Sequence, residues 1–409
     1  MILCDNPKRT MARLAKKIYG EPDKKMTLIG VTGTNGKTTV SHLIRDILTT
    51  AGKKTALIGT NGCYYNHLLT DESFSTSTTP DSAELWRILK YMRELGCEYA
   101  VCEVSSHALA LDRVYGADFD IGIFTNLTRD HLDFHKNMEN YFKAKKILFQ
   151  MCRFGIINTD DEYGKRLYEE FSSKSQSVGR CNADITALNI ISGISGAEFT
   201  ITDKEKSRNA KIAVPGEFSV YNALCAYAVG IRLGIDENVI IKALAETKGV
   251  KGRCERLQLN ENYSVIIDYA HTPDGLENII KTLKSITKGK LITLFGCGGD
   301  RDVSKRAVMG KISGELSDFT VITSDNPRTE NPIKILKDIE KGILGITDNY
   351  VIIPDRYEAI KYALEHAQPQ DTVLLAGKGH EDYIIKGYDK IHFDEREIVK
   401  CILDKKRNR

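Results

Sequence analysis

The sequence predicts a mixed α/β protein in which a domain built on a large parallel sheet is followed by a second, smaller α/β domain. Short apolar runs alternate with segments of helical periodicity along most of the 409 residues. This pattern is expected when helices cover both faces of a parallel sheet. A new series of such runs begins after residue 248, so we predict a lead-in helix in residues 1–25 and domains at 26–247 and 248–409.

Composition excludes several classes of protein. The formal net charge is only +3, which argues against a nucleic-acid partner. The sequence has no run of 18 or more apolar residues, and its first residues lack the charged start of a signal peptide, so we expect a cytoplasmic protein without membrane contact. The ten cysteines form no C-x-x-C pair, which argues against a zinc site or a disulfide framework.

The elements of the first domain are predicted from periodicity in chain order. Apolar residues at helical spacing predict a helix over 7–19, and a continuous apolar run predicts the first strand at 26–31. Shorter alternating runs over 183–214 predict a small antiparallel patch. The remaining predictions are strands at 54–60, 99–104 and 121–126, a polar loop at 73–79, and helices from residue 39 onward and at 82–95, 138–150, 219–233 and 236–247.

The turn after the first strand carries the residues that a phosphate chain requires. Gly33 and Gly36 allow the backbone to turn tightly and present N–H groups, Lys37 can reach the outer phosphates, and Thr38 can bind Mg²⁺. The strict G-x-x-x-x-G-K-[ST] pattern has glycine where this chain has Val31. The flanking strand and helix favour a nucleotide-phosphate loop, and the alternative is a glycine-rich turn with a chance Gly-Lys-Thr.

Polar residues end the next strands of the same sheet. Glu103 closes the third strand and Asn126 the fourth, so both are expected near the phosphate loop, because ligands collect at the carboxyl ends of parallel strands. A carboxylate there can hold Mg²⁺. His131 and His135 have the spacing of a zinc pair, but the glutamate of H-E-x-x-H and a third ligand are missing. His131 is then either a group beside the metal and phosphates or a structural histidine of a polar loop.

The second domain is predicted from strands at 264–268, 290–295, 318–323, 350–353 and 372–376 and a helix at 274–283. The glycine-rich turn at 295–302 fails the G-x-G-x-x-G spacing, which argues against a nicotinamide site. Arg301, Arg328 and Glu381 follow strands and lie near glycines. Such groups suit an amino-acid zwitterion, through an arginine–carboxylate fork and a carboxylate for the ammonium. The alternative is that they are turn and cap residues.

Eight of these stretches, taken together, resemble the Mur ligases. The resemblance runs from about residue 5 to the end of the chain and is strongest to the members that add the third residue of the peptidoglycan peptide. The stretches are 33–39 (GTNGKTT), 78–80 (TTP), 103–107 (EVSSH), 130–133 (DHLD), 221–223 (YNA), 268–273 (DYAHTP), 325–328 (DNPR) and 377–381 (GKGHE). The resemblance implies a P-loop ATPase domain followed by a Rossmann-like domain.

The resemblance also implies an activity, an ATP-dependent amide ligation. In this chemistry the γ-phosphoryl group moves to a substrate carboxylate, and an incoming amine attacks the resulting acyl phosphate. The implied cofactors are ATP and two Mg²⁺ ions, and the implied partners are small-molecule substrates, namely an amino acid and a peptide or nucleotide-sugar peptide acceptor. We expect the protein to be a monomer. The implied catalytic residues are Lys37, Glu103, His131 and Lys145.

The resemblance also implies roles for further residues, according to their positions in the matching stretches. By composition alone, Lys145 would belong with Lys143 and Lys146 to a solvated helix face, but it matches the family lysine that is carbamylated to bind the second Mg²⁺. The implied metal ligands are Thr38, Glu103, His131 and Lys145. The implied nucleotide-binding residues are Gly33, Thr34, Asn35, Gly36, Lys37, Thr38, Thr39, Asn126, Asn222 and His271. The implied substrate contacts are Thr78, Thr79, Ser105 and Arg113 for the muramyl peptide, and Arg301, Asp325, Asn326, Arg328, Gly377 and Glu381 for meso-diaminopimelate.

Three functions remain open at this point. A meso-diaminopimelate-adding ligase is favoured by Arg328, since a guanidinium prefers a side chain that ends in a carboxylate to a bare ammonium. The second possibility is a divergent ligase that acts on another γ-glutamyl or peptide acceptor, as in a natural-product pathway or in folylpolyglutamate or polyglutamate synthesis. It is suggested because this chain matches only the last helix of the family domain that binds uridine diphosphate. A non-enzymatic nucleotide-binding module is disfavoured, since it does not need Lys145.

Overall fold

The computed structural model describes residues 4–70, 74, 78–204 and 206–407. The chain forms two compact units. The first comprises Met1–Ile191, Ala197–Ala213 and Glu217–Lys248, and the second comprises Ser192–Gly196, Val214–Gly216 and Gly249–Arg409. The functional division at residues 25 and 247 stays a prediction.

In the described part of the first unit, eleven strands form one sheet and nine α-helices accompany it. The strands are β1 Thr27–Thr32, β2 Thr55–Gly59, β3 Gly62–Tyr65, β4 Leu68–Leu69, β5 Tyr99–Glu103, β6 Ile121–Phe124, β7 Phe154–Asn158, β8 Ser175–Gly179, β9 Ile185–Gly193, β10 Gly196–Asp203 and β11 Lys206–Ile212. The helices are α1 Pro7–Ile18, α2 Lys37–Thr50, α3 Ser82–Glu94, α4 Ser106–Ala110, α5 Leu132–His135, α6 Met138–Met151, α7 Glu162–Phe171, α8 Glu217–Arg232 and α9 Glu237–Glu246.

The order of the strands explains where a ligand can bind. The sheet runs β11-β10-β9-β8-β7-β6-β1-β5-β2-β3-β4, and β1 pairs in parallel with both β5 and β6. The chain leaves β1 through α2 and returns as β2 on the far side of β5, so the strand order reverses beside β1. Such a switch point leaves a crevice at the carboxyl ends of the strands. The predicted parallel sheet is confirmed.

One part of the first unit differs from the prediction. The region 183–214 is not a separate antiparallel patch, because β9 pairs in parallel with β8 and continues the main sheet. The strands β10 and β11 carry the predicted antiparallel register within it. The loop predicted at 73–79 falls partly outside the described residues, at 73 and 75–77.

The apolar runs are explained by burial. Leu28 of β1 packs in one buried cluster with Trp86 of α3 and Phe149 of α6, while α2 packs on α8. A strand covered on both faces has to be apolar at consecutive positions, and from Leu28 to Thr32 every residue of β1 is buried. Trp86, the single tryptophan of the chain, is completely buried in this core.

The second unit is built on a smaller sheet. Its described strands are β12 Glu255–Arg256, β13 Ser264–Asp268, β14 Leu291–Phe295, β15 Phe319–Ile322, β16 Tyr350–Ile352, β17 Thr372–Ala376, β18 Tyr383–Lys386 and β19 Asp389–His392. Its helices are α10 Pro273–Ile286, α11 Ser304–Leu316, α12 Pro332–Ile343, α13 Arg356–His366 and α14 Glu395–Arg407. Six strands run in the order β12-β13-β17-β14-β15-β16, and β18 and β19 pair separately. The five predicted strands are confirmed.

The parallel strands of this sheet all end at one edge. Parallel pairs join β13 to β17, β17 to β14, β14 to β15 and β15 to β16, whereas β12 is antiparallel. The polar stretches 268–274, 296–302, 324–328 and 377–381 follow four of these strands directly. In the part of the chain that is described, no helix has both the length and the apolar character that crossing a membrane requires.

Candidate active site

The phosphate loop is shaped by two glycines. Gly33 has φ +152°, and a Cβ atom there would lie 1.8 Å from Thr125 Oγ1. Gly36 has φ +85°, and its Cβ atom would lie 2.6 Å from Asn222 Oδ1. Both positions therefore require glycine on conformational and steric grounds. Val31 lies inside β1, so the turn itself begins at Gly33 and the missing glycine of the strict motif belongs to the strand.

The N-terminus of α2 points into this loop. The helix begins at Lys37, and the N-cap residue Gly36 has no side chain that could cap the first turn. Backbone N–H groups at such an end, together with the positive end of the helix dipole, form an anion site. Thr38, in the first turn, donates a hydrogen bond from Oγ1 to Glu103 Oε2 at 3.0 Å. The loop thus fits a phosphate chain.

Glu103 is held rigidly opposite the start of α2. Its side chain is buried, and its Oε2 also accepts from Thr60 Oγ1 at 3.0 Å while Oε1 accepts from the Thr60 backbone N–H at 2.9 Å. Hydroxyl and carboxylate oxygens are the ligand types that Mg²⁺ prefers. Within the described ranges, no group of three or more His, Cys, Asp and Glu side chains could hold a metal ion. The oxygens of Thr38 and Glu103 fit a Mg²⁺ ion that completes its shell with phosphate and water oxygens.

Lys37 and Lys145 share one backbone oxygen. Lys37 Nζ donates to Gly33 O at 2.9 Å and to Thr34 O at 2.8 Å, and Lys145 Nζ donates to Gly33 O at 2.7 Å. Lys145 is only 1% exposed. Burial and the nearby charge of Lys37 hold the pKa of Lys145 well below its ordinary value, which favours a neutral amine.

The solvated-face interpretation of Lys145 is therefore wrong. Lys143 is exposed and Lys146 is partly exposed and pairs with Glu170, but Lys145 points into the core. The helical spacing contained the signal, because Lys145 falls on the stripe that Tyr141, Leu148 and their buried neighbours define along α6.

The two histidines of the His-x₃-His spacing have different surroundings. His131 lies at the N-cap of α5 with φ +53°, and its ring centroid is 4.8 Å from that of His107. Partial burial, reinforced by the charge of Lys37, lowers the pKa of His131. His135 is buried, with Nε2 2.9 Å from Ser106 Oγ and its ring stacked on Tyr141. His135 is thus a structural histidine, and His131 lies within electrostatic reach of the loop lysines.

Asn126 fixes the loop from the neighbouring strand. Its Oδ1 accepts from the Asn35 backbone N–H at 2.9 Å and its Nδ2 donates to Asn35 O at 3.2 Å, while its own carbonyl accepts from the Thr34 N–H. Thr34 Oγ1 in turn lies 3.2 Å from Tyr141 Oη, and Thr39 is buried at the start of α2. The structure brings all the predicted nucleotide residues of the first unit to the loop, and Asn126 acts there by positioning Asn35.

The residues predicted to contact the muramyl peptide also lie together. Thr79 Oγ1 donates to the backbone carbonyl of Glu103 at 2.9 Å and accepts from the Ser105 N–H at 2.9 Å. Arg113 Nη1 donates to Thr79 O at 3.0 Å, and the hydroxyls of Thr78 and Thr60 are 3.1 Å apart. This cluster lies beside Glu103, through its backbone carbonyl and through Thr60.

The predicted amino-acid residues lie at the carboxyl edge of the second sheet. Arg301 is exposed after β14, and Asp325 and Asn326 are buried after β15. Arg328 has φ +51° and donates from Nη1 to Gly299 O at 2.8 Å. Gly377 begins the turn after β17. His271 follows β13 in the same unit, with Nδ1 2.8 Å from Tyr269 O.

One residue of this edge was missed by the sequence reasoning. Lys378 has no exposed surface, and its Nζ donates to Asn326 Oδ1 and to Glu381 Oε2, both at 3.2 Å. The Asp325 carboxylate lies 3.5 Å from the same nitrogen. Asn326 Nδ2 also donates to Glu381 Oε2, at 2.9 Å. The only sequence signal was a lysine between two glycines, directly after a buried strand.

These features define a class of protein: a P-loop α/β unit whose loop and neighbouring carboxylate fit a phosphate chain and Mg²⁺, followed by a second α/β unit with charged side chains at the ends of its strands. Comparison with known proteins identifies the class. Residues 31–230 match the Mur ligase middle domain, and residues 252–379 match the Mur ligase, glutamate ligase domain. The chain belongs to the Mur ligase family, whose members are ATP-dependent ligases that form amide bonds.

Comparison with individual members of the family gives more detail. The chain is 47% identical over 402 residues to UDP-N-acetylmuramoyl-L-alanyl-D-glutamate–2,6-diaminopimelate ligases of Clostridium tetani and Clostridium acetobutylicum, covering 98% of this chain and 82% of each relative. A solved structure of a ligase with this name matches with a TM-score of 0.73 at 32% identity, covering 99% of this chain and 84% of that one. The Mycobacterium tuberculosis folylpolyglutamate synthase matches with a TM-score of 0.74 at 16% identity over 91% of this chain and 92% of that one, which shows a shared fold alone.

Proposed function

We propose that this chain is an ATP-dependent ligase that joins meso-2,6-diaminopimelate to a MurNAc-L-Ala-D-Glu acceptor in peptidoglycan synthesis. The names of its relatives at 47% identity support the substrates. The observation that carries the chemistry is the buried amine of Lys145 beside the phosphate loop. A protein that only bound a nucleotide would have no use for a desolvated, neutral amine at that place.

The first unit performs phosphoryl transfer. The backbone of residues 33–39 and the ammonium of Lys37 would hold the phosphates of ATP, and Thr38 with Glu103 would hold Mg²⁺. This ion would neutralise phosphate charge. The acceptor carboxylate oxygen attacks the γ-phosphorus, and the bond to the β-phosphate oxygen breaks, which leaves ADP. Because this chemistry depends on position and charge, the rigid mounting of Glu103 is a functional requirement.

Lys145 is the site of carbamylation. Its neutral Nζ attacks the carbon of CO₂, and an N–C bond forms while one C–O π bond breaks and its electron pair moves to oxygen. The nitrogen then loses one proton to solvent. The product is an anionic oxygen donor in place of a cation. Together with His131, whose lowered pKa favours the neutral imidazole, this carbamate would hold a second Mg²⁺.

The remaining residues bind the substrates. Asn222 and His271 contact the nucleotide, and the cluster of Thr78, Thr79, Ser105 and Arg113 holds the peptide whose carboxylate is activated. Arg301, Arg328 and Glu381 bind diaminopimelate, with the guanidinium groups on carboxylates and the glutamate on an ammonium. The free amine attacks the acyl carbon, phosphate leaves, and the nitrogen loses a proton.

The activity is tested by phosphate release with ATP, Mg²⁺ and meso-diaminopimelate. The acceptor panel is UDP-MurNAc-L-Ala-D-Glu, free MurNAc-L-Ala-D-Glu, L-Ala-D-Glu and γ-glutamyl peptides. We expect release that needs both the amino acid and a muramyl acceptor. Release with a γ-glutamyl peptide, and none with either muramyl acceptor, would contradict the role in cell-wall synthesis.

The role of Lys145 is tested by Lys145→Ala, with Lys143→Ala as a matched control on the exposed face of the same helix. We expect Lys145→Ala to lose more than about a hundredfold in kcat, because a metal ligand is removed, and acetate or formate to restore part of it. Lys143→Ala should keep wild-type activity. A fully active Lys145→Ala variant would remove the carbamate from the mechanism.

A further inference from the structure

The turn after β17 contains a lysine whose charge is completely enclosed by protein. Lys378 is 0% exposed, in contrast to Arg301, which is exposed at the same edge of the sheet. Burying an ammonium costs free energy unless it is paired and hydrogen-bonded. Asp325, Asn326 and Glu381 provide that pairing, and all three are predicted ligands of the amino acid.

We propose that Lys378 determines the specificity for the amino-acid substrate. Its enclosed positive charge makes the pocket favour a net-neutral diamino dicarboxylate over a cationic diamino monocarboxylate such as lysine. The inference rests on the proposed function, because it concerns the same pocket, but it assigns selectivity to a residue that does not itself reach the substrate.

Hydrogen bonds to Lys378 fix the orientation of the Glu381 carboxylate. Glu381 Oε2 accepts from both Lys378 Nζ and Asn326 Nδ2, and Asn326 Oδ1 accepts from both Lys378 Nζ and the Ile385 N–H. Both acceptors are then saturated by protein donors. Glu381 Oε1 is the oxygen of this carboxylate that remains for a substrate ammonium. Lys378 therefore fixes which oxygen of Glu381 faces the ligand.

The charge of Lys378 also acts on the pocket. Its Nζ lies 3.5 Å from the Asp325 carboxylate and 3.2 Å from that of Glu381, so it is the close charge partner of both. Without Lys378 these two carboxylates lose that partner and favour an additional positive charge on the ligand. Lysine differs from diaminopimelate by lacking one carboxylate, so it carries that additional charge. At partly screened distances within a pocket, one unit charge changes such a preference by about tenfold or more.

The test is calorimetric titration of meso-diaminopimelate and lysine into the wild type and into Lys378→Met, which keeps an unbranched side chain of similar length but removes its charge. We expect the ratio of the two affinities to move toward lysine by about tenfold or more, with unchanged ATP affinity. Lys378→Met combined with Asp325→Asn restores the charge balance and should restore most of the ratio. Arg328→Ala, as a comparison, removes a direct contact and should weaken diaminopimelate most.

Several outcomes would overturn the inference. If Lys378→Met weakens the binding of both amino acids equally, the ratio of their affinities is unchanged. Lys378 is then only a structural residue, and its charge has no role in specificity. Should Lys378→Met fail to fold, Lys378→Arg keeps the charge, and loss of the wild-type ratio in that variant would also count against the proposal. Failure of the proposed function has a different signature, namely a wild type that prefers to bind diaminopimelate but does not release phosphate with it.

Discussion

His135 makes the stability of the first unit depend on pH. Its ring is buried against Tyr141, and this burial lowers the pKa of His135 from 6.5 to about 4. The perturbation is His135→Gln, which keeps a hydrogen-bonding group beside Ser106 but cannot titrate. Ser106→Ala is the matched control, because it removes the hydrogen-bond partner and leaves the imidazole in place.

The sign and size of the effect follow from proton linkage. Between pH 6.5 and about 4, an unfolded His135 binds a proton that the folded one rejects, so the free energy of unfolding decreases as the pH falls through this range. With these two pKa values the loss between pH 7 and pH 5 is about 2 kcal/mol. At typical denaturant slopes this corresponds to a shift of roughly 1 M in the urea midpoint.

The assay is urea unfolding at pH 7 and pH 5, followed by the fluorescence of Trp86. This residue is the single tryptophan of the chain and lies in the core of the first unit, so the signal reports that unit. We expect the difference between the two midpoints to shrink in His135→Gln and to persist in Ser106→Ala. An identical pH dependence in the wild type and His135→Gln would refute the reasoning.

Two further predictions concern glycine and a buried ion pair. Gly33→Ala would place Cβ 1.8 Å from Thr125 Oγ1, and we expect it to lower the affinity for ATP at least tenfold, as measured by titration. The control is Gly52→Ala, at φ +77° with nothing within 4 Å. It tests backbone strain alone and should bind ATP normally. Arg356 donates to Glu395 Oε1 at 2.8 Å, and neither side chain is exposed. Arg356→Met should lower the stability of the second unit by about 3–5 kcal/mol, and adding Glu395→Leu should recover most of it, measured by hydrogen exchange in β17. A single variant no less stable than the double one would contradict this.

The fold was predictable where burial dictates local sequence. The apolar runs of β1, β5, β13 and β17 could be recognised because strands covered on both faces admit few polar residues. The continuation of the main sheet into β9 was not predictable in the same way. The alternation of apolar and polar side chains indicates which face of a strand is buried. It does not indicate which strand lies beside it, or whether the two are parallel, because both depend on pairing with a distant segment.

The candidate site was predictable in its composition but not in its burial. Gly33, Gly36, Lys37 and Thr38 could be read as a phosphate loop because their chemistry and order suffice. Lys145 could not be assigned from composition, because its fate depends on which face of α6 meets the core. The same holds for Lys378, whose partners come from two different strand ends.

The shared carbonyl of Gly33 couples two lysines of identical chemistry. A carbonyl oxygen has two lone pairs, and both are occupied by amine nitrogens, from Lys37 and Lys145. Two full positive charges at that separation repel each other, which together with burial holds the pKa of Lys145 well below its ordinary value. In the proposed mechanism, Lys37 then binds phosphate as a cation, and Lys145 attacks CO₂ as a neutral amine.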